Sequence, residues 1–164
     1  MAVIGAGMLP PAQASTDPDN ASFALELSGA SYHLRQAPAP NHYNQENWGV
    51  GLEYRKPLAG DEDWTAKYSA GTLVDSYYGH GGYAGAVLQK QLLANEALRV
   101  DAGAGLFLFY RRLEFNGPLK LIPAPAPVVT LGLGPTPFSL NITGCPSLPG
   151  GWTGFVFAQL VAAF

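Results

Sequence analysis

The chain is one domain's length, 164 residues, and apolar: 48% of its residues are hydrophobic and only 13% charged, about half the charge of an ordinary soluble domain. No stretch reaches the roughly 20 consecutive apolar residues that a spanning helix needs. A net charge of −3 without a basic cluster excludes an electrostatic nucleic-acid binder, and the single Cys145 excludes an intrachain disulfide or a CxxC metal site. An apolar chain without an apolar helix points to β-strands, which spread apolar residues over alternate positions.

Residues 1–14, MAVIGAGMLPPAQA, have a short apolar run and end in the small-x-small pattern Ala12-Gln13-Ala14. They read as the back end of a signal peptide lacking its positive start. This leaves residues 15–164 as one barrel domain, at about 19 residues per strand and turn if there are eight strands. Ser15 to about Ser28 shows no helical stripe; Phe23, Leu25 and Leu27 alternate as in a strand. Gly29 to Gln36 places Ala30, Tyr32 and Leu34 on one face and Ser31, His33 and Arg35 on the other. From Trp48, WGVGLEYR sets Trp48, Val50, Leu52 and Tyr54 against Gly49, Gly51, Glu53 and Arg55. From Trp64, the apolar set Trp64, Ala66, Tyr68, Ala70 and Val74 opposes Thr65, Lys67, Ser69 and Asp75. Gly82 to Gln91 is a further strand. From Leu98, the even positions Leu98 to Tyr110 oppose Arg99, Asp101, Gly103, Gly105 and Arg111. Val128 to Leu133, Phe138 to Thr143 and Gly154 to Phe164 complete the set. Prolines, among them Pro38, Pro40, Pro57, Pro118, Pro123, Pro125 and Pro127, are expected at strand starts or in loops, where a lost ladder donor is tolerable.

Period-two segments of this kind, each with one apolar face, predict an all-β fold. The pattern alone does not say which face is inside. A soluble lipocalin-like carrier buries the apolar face; a membrane barrel turns it to lipid and packs its charges in the lumen. Aromatics at the ends of the apolar faces (Trp48, Tyr54, Trp64, Tyr110) resemble interfacial girdles, and charges beside glycines suit a narrow, filled lumen. The expectation is therefore an antiparallel up-and-down transmembrane β-barrel of about eight strands.

His33 falls on a polar face, whereas His42 and His80 fall in Gly/Pro/Asn-rich loops, and no pair has a metal ligand's helical spacing. No metal or other cofactor is expected. Asp75-Ser76 ends a long alternating segment before the glycine-rich Tyr77 to Gly82. Neighbouring strand residues point oppositely, so both side chains reach the lumen only if the strand stops there. His, Asp and Ser are the residue types of acyl transfer, although an Asp-Ser step is commonly just a turn.

The ordered series Tyr32-His33, Tyr43-Asn44, Trp48-Gly49-Val50-Gly51, Asp75-Ser76-Tyr77, Ile122-Pro123-Ala124-Pro125 and Gly132-Leu133-Gly134-Pro135 resembles the lipid A palmitoyltransferase (PagP) family from about Ser31 to Phe164. The resemblance implies an outer-membrane enzyme, acting as a monomer, that moves a palmitoyl-like chain from a phospholipid to lipid A. His33, Asp75 and Ser76 match the family's essential residues. It implies His33 as base or proton shuttle, Ser76 as nucleophile or oxyanion partner, and Asp75 as orienter or charge stabiliser. A non-catalytic barrel of the same family is the alternative, since fold does not fix function. The family's amphipathic helix before the first strand has no counterpart here, Tyr32 replaces the common Trp, and the loop after Ile122-Pro123-Ala124-Pro125 is shorter. The family lines its lumen floor with a glycine twelve positions after the Asp. Counting from Asp75 lands on Val87, which would favour a donor shorter than palmitoyl; a slip of two leaves Gly85 at the floor and Val87 facing lipid.

Overall fold

The computed structural model describes residues 21–37, 39–145, 147 and 153–164; the segment read as a signal peptide and Pro38 lie outside them. Eight strands follow in chain order: β1 (Ser22–His33), β2 (Glu46–Leu58), β3 (Asp61–Val74), β4 (His80–Ala94), β5 (Leu98–Arg112), β6 (Leu119–Leu133), β7 (Phe138–Cys145) and β8 (Phe155–Ala163). Each pairs antiparallel with the next, and β8 pairs with β1 to close the barrel. Among the described residues there is no helix.

The two ends differ. The β2–β3, β4–β5 and β6–β7 connections are tight. Gly60 and Gly134 take positive φ, 85° and 47°, a region glycine enters without steric cost. In the turn between them Asn95 Oδ1 accepts the amides of Ala97 and Leu98, both at 2.9 Å. The opposite rim carries the longer connections, including 34–45 and 75–79.

The alternation resolves with the apolar face outward. Val50 and Leu106 are 50% and 57% exposed, whereas Glu53 and Lys67 are 3% and 2% exposed. A soluble carrier would need the reverse, so that alternative falls. Closure also removes the unpaired strand edges that lipid cannot satisfy. On the outer wall Phe23, Tyr54 and Tyr68 form a row toward the tight-turn end, with ring centroids 5.2 and 6.3 Å apart. Tyr32, Trp48 and Tyr110 lie exposed toward the long-loop rim.

A bulge between Ser28 and Ala30 interrupts β1. In a regular strand Glu26 and His33, an odd number of residues apart, would face opposite sides. The extra residue resets the phase. Glu26 and Ser28 before the bulge and Ser31 after it are all buried, and His33 follows Ser31 on the inner face.

The prolines of β6 depart from expectation. Pro123, Pro125 and Pro127 sit inside the strand rather than at its start or in a loop. They alternate, so their missing N–H groups lie along one edge. The carbonyl of Pro127 accepts the Thr143 hydroxyl of β7 at 2.9 Å, which identifies that edge as the β7 side. β6 pairs with β5 over its whole length but with β7 only from Val128 to Gly132. The prolines therefore remove donors where no ladder uses them, which is why a proline-rich strand is tolerated here.

The lumen is filled in layers. Toward the tight turns Lys67 Nζ donates to Thr130 Oγ1 at 3.0 Å, and Asn141 Nδ2 donates to Glu53 Oε2 at 3.2 Å; Arg55 pairs with Glu53, and Arg99 with Asp101. Midway, the Tyr83 hydroxyl donates to Glu26 Oε2 at 2.6 Å, and Gln159 Nε2 donates to Tyr83 at 3.0 Å and to Ser28 at 3.1 Å. The Tyr83 tip reaches β1 from β4 by lying against the wall over Gly71 and Gly51, where added Cβ atoms would strike its oxygen. An apolar cluster of Tyr83, Val87, Phe107 and Val128, with Leu73 and Phe109 packed against it, lies beside these polar side chains.

Candidate active site

β3 stops at Val74, so Asp75 and Ser76 leave the alternation and both side chains are buried on the inner side of the rim. The Asp75 carboxylate folds this turn. Its Oδ1 accepts the amides of Tyr77 and Gly79, each at 2.8 Å, and its Oδ2 accepts the amide of Arg112 at 2.7 Å. Three amide donors engage both carboxylate oxygens, so it holds the 75–79 turn against the end of β5.

His33 arrives at the same rim from β1. Its ring stacks on Tyr43 with centroids 4.3 Å apart, and its Nδ1 is buried without a hydrogen-bond partner. The 34–45 connection joins the two halves of the site. Tyr43 covers His33, while the next residue, Asn44, donates its amide to the Ser76 carbonyl at 2.9 Å and its side chain to the Asp75 carbonyl at 3.2 Å. Asn47 Nδ2 adds a bond to the Val74 carbonyl at 2.8 Å. Tyr77 packs edge-on to Tyr43 and Phe115. Burial, and next the neighbouring Tyr43, push the Tyr77 phenol up to about 12, so it remains neutral at working pH.

His33, Asp75 and Ser76 thus converge on the long-loop rim, but no hydrogen bond among them forms a relay. Below them a cavity of about 30 Å³, lined by Ser31, Ser76, Phe109, Arg111 and others, leads to a deeper one of about 20 Å³ between Tyr83, Val87, Phe107 and Phe157. Each holds about one water. A fatty chain enters only if the lumen aromatics rotate aside.

A sequence profile described as "Antimicrobial peptide resistance and lipid A acylation protein PagP" matches residues 14–151. The chain belongs to the PagP family. It is an outer-membrane barrel of that family, whose members act on lipid A and phospholipid. No curated protein matches it. Among solved structures, the Yersinia pestis outer membrane protein Ail, determined in a phospholipid bilayer nanodisc, is similar at 13% identity. It covers 88% of this chain and all of its own, with a TM-score of 0.47.

Of the two positions expected at the floor of this PagP-family lumen, both face inward. Val87 is 8% exposed, and its side chain fills the space above Gly105, so the lipid-facing placement of Val87 is wrong. Gly85 lies beneath the Phe107 ring. Phe107 and Phe109 are lumen residues on the face that the sequence marks as polar; their spacing from Gly105 and Arg111 carries that information, but their apolar character masks it. Arg111, the other rim residue of consequence, shares the same parity.

Proposed function

We propose that this barrel transfers a fatty acyl chain from a phospholipid to lipid A. The observation that carries the reading is the meeting of His33 with Asp75-Ser76 at one rim, fastened by Tyr43 and Asn44 above an apolar lumen segment. An imidazole nitrogen without a partner is free to take the proton of an attacking hydroxyl. Ser76 lines the cavity directly and serves as nucleophile or oxyanion partner. Asp75 orients Ser76 through the backbone of the turn. The acyl chain would descend along Leu73, Phe109 and Phe107, and Val87 would limit its depth. The β6 edge from Leu119 to Pro127, without a β7 ladder, favours access of a lipid tail from the side, because there are few free donors there to expose to hydrocarbon.

A second reading, a PagP-family barrel without catalysis, is favoured by the filled lumen and by the engagement of the Asp75 carboxylate with three backbone amides. Purified protein incubated in detergent with phospholipid and lipid A, followed by mass spectrometry of the lipid A, separates the two. The transferase reading expects lipid A heavier by one acyl chain and loss of that product in His33→Ala. Unmodified lipid A with folded wild-type protein leaves the non-catalytic reading.

A further inference from the structure

Arg111 is an inward-facing residue near the end of β5, and it lines the rim cavity with Ser31 and Ser76. Its guanidinium lies 5.9 Å from the centroid of Tyr77 and 5.8 Å from that of Phe155, so aromatic faces flank it. Its Nε donates to the Arg112 carbonyl at 3.3 Å. Among the described residues no carboxylate lies within 4 Å of it. The nearest acidic candidate in the site, Asp75, is taken by three backbone amides. Buried cations are usually paired; here the counter-charge is Asp75, in the wall of the same cavity but beyond ion-pair distance. Beside it, Ser31 Oγ is also buried and has no hydrogen-bond partner. A guanidinium held by one long hydrogen bond and a hydroxyl without a partner border one small cavity, with Asp75 also in its wall.

We propose that Arg111, with the Ser31 hydroxyl beside it, is the oxyanion site of the barrel and receives the carbonyl oxygen of the donor ester. The proposal rests on the acyl-transfer reading above. Chemistry selects the ligand atom: a guanidinium and a hydroxyl in the cavity wall are donors only an acceptor oxygen can use, and the ester carbonyl is the oxygen on which charge develops. As the acceptor hydroxyl oxygen bonds to the ester carbon, its proton passes to His33 and the carbonyl π pair moves onto the oxygen beside Arg111. When that pair returns, the bond to the glycerol oxygen breaks, and His33 gives the proton to the departing alkoxide. One ester and one alcohol become another ester and alcohol, with no further reactant. If Ser76 is acylated first, the same oxygen is held in both half-reactions.

The test compares wild type with Arg111→Gln, Arg111→Lys and Ser31→Ala, each checked for a folded barrel by heat-modifiable electrophoretic mobility. Loss of one oxyanion donor costs about 10²–10³ in kcat. Arg111→Gln should lose about that much with KM for the phospholipid within about threefold, Arg111→Lys should recover part of it, and Ser31→Ala should lose about tenfold. A kcat kept within about threefold in Arg111→Gln, or a loss confined to KM, overturns the proposal. A second arm needs no catalysis: binding of dodecanoate against dodecanamide, followed by NMR of the carbonyl-labelled ligands. Wild type should prefer the carboxylate at least about tenfold, and Arg111→Gln should show no preference. Equal binding by wild type overturns the anion site. A wild type that prefers dodecanoate but transfers no acyl chain sinks the transferase reading and leaves the anion site standing.

Discussion

At the scale of single residues the rim divides between chemistry and support. Ser76→Ala removes one hydroxyl and should abolish most acyl transfer while shifting unfolding by less than about 1 kcal/mol, the usual range for a site whose backbone is held by others. Asp75→Ala should abolish transfer too, but for a different reason: three backbone amides, one of them buried, lose their acceptor. Bonds to a charged group contribute about 1.5–3 kcal/mol each, so a loss of about 3 kcal/mol or more is expected. Urea unfolding in micelles tells the two apart. His33→Ala should lose transfer and keep its fold. Val87 tests depth. Each buried methylene contributes about 0.8 kcal/mol, so the wild type should favour donors shorter than palmitoyl and Val87→Gly should move the preference to longer chains. A wild type that prefers palmitoyl, or a variant with unchanged selectivity, removes Val87 from the floor.

At the scale of elements, strand identity was readable because lipid enforces alternation over many turns of the pleat. Trp48 to Arg55 shows it without interruption, and Leu98 to Gly105 does so until the apolar run Leu106 to Tyr110 masks it. Even the β1 bulge is written in the sequence, since Phe23, Leu25 and Leu27 hold odd positions and Ala30, Tyr32 and Leu34 even ones. That phase change reads as two segments until pairing partners are known. What alternation does not carry is how far an edge runs before pairing ends, so β6 begins at Leu119 rather than Val128 and takes in three prolines. Nor does it carry the partners of a carboxylate: in sequence Asp75 reads as an orienter or charge stabiliser, or as part of a turn, and in space its carboxylate holds a turn. The bulge makes a prediction of its own. Deleting Gly29 leaves Glu26 and His33 an even number of residues apart, so a regular strand keeps Glu26, Ser28, Ser31 and His33 all on the lumen face. A folded barrel with refolding yield and transfer close to wild type is expected. A deletion variant that fails to fold or to transfer shows that the bulge does more than reset the phase.

At the scale of the whole molecule, lumen glycines on the wall and large side chains laid over them permit an eight-stranded barrel to hold an ordered interior. Gly71→Val should displace the Tyr83 ring and leave the Glu26 carboxylate without its phenol donor. An unsatisfied buried acceptor costs about 1–3 kcal/mol, more when charged, so about 3 kcal/mol is expected in denaturant unfolding, whereas Ala70→Val on the lipid face should change little. The same phenol ties together three parts of the chain that meet only at the seam: Glu26 and Ser28 from the first strand, Gln159 from the last, and Tyr83 from the middle. During assembly a half-rolled sheet leaves Glu26 beside hydrocarbon without the Tyr83 donor, and Gln159 reaches that phenol and Ser28 only once the last strand closes on the first. Joining the two chain ends is then an all-or-none event, and a mis-registered seam is penalised before it is sealed. In this sense Tyr83 proofreads the closure of the cylinder.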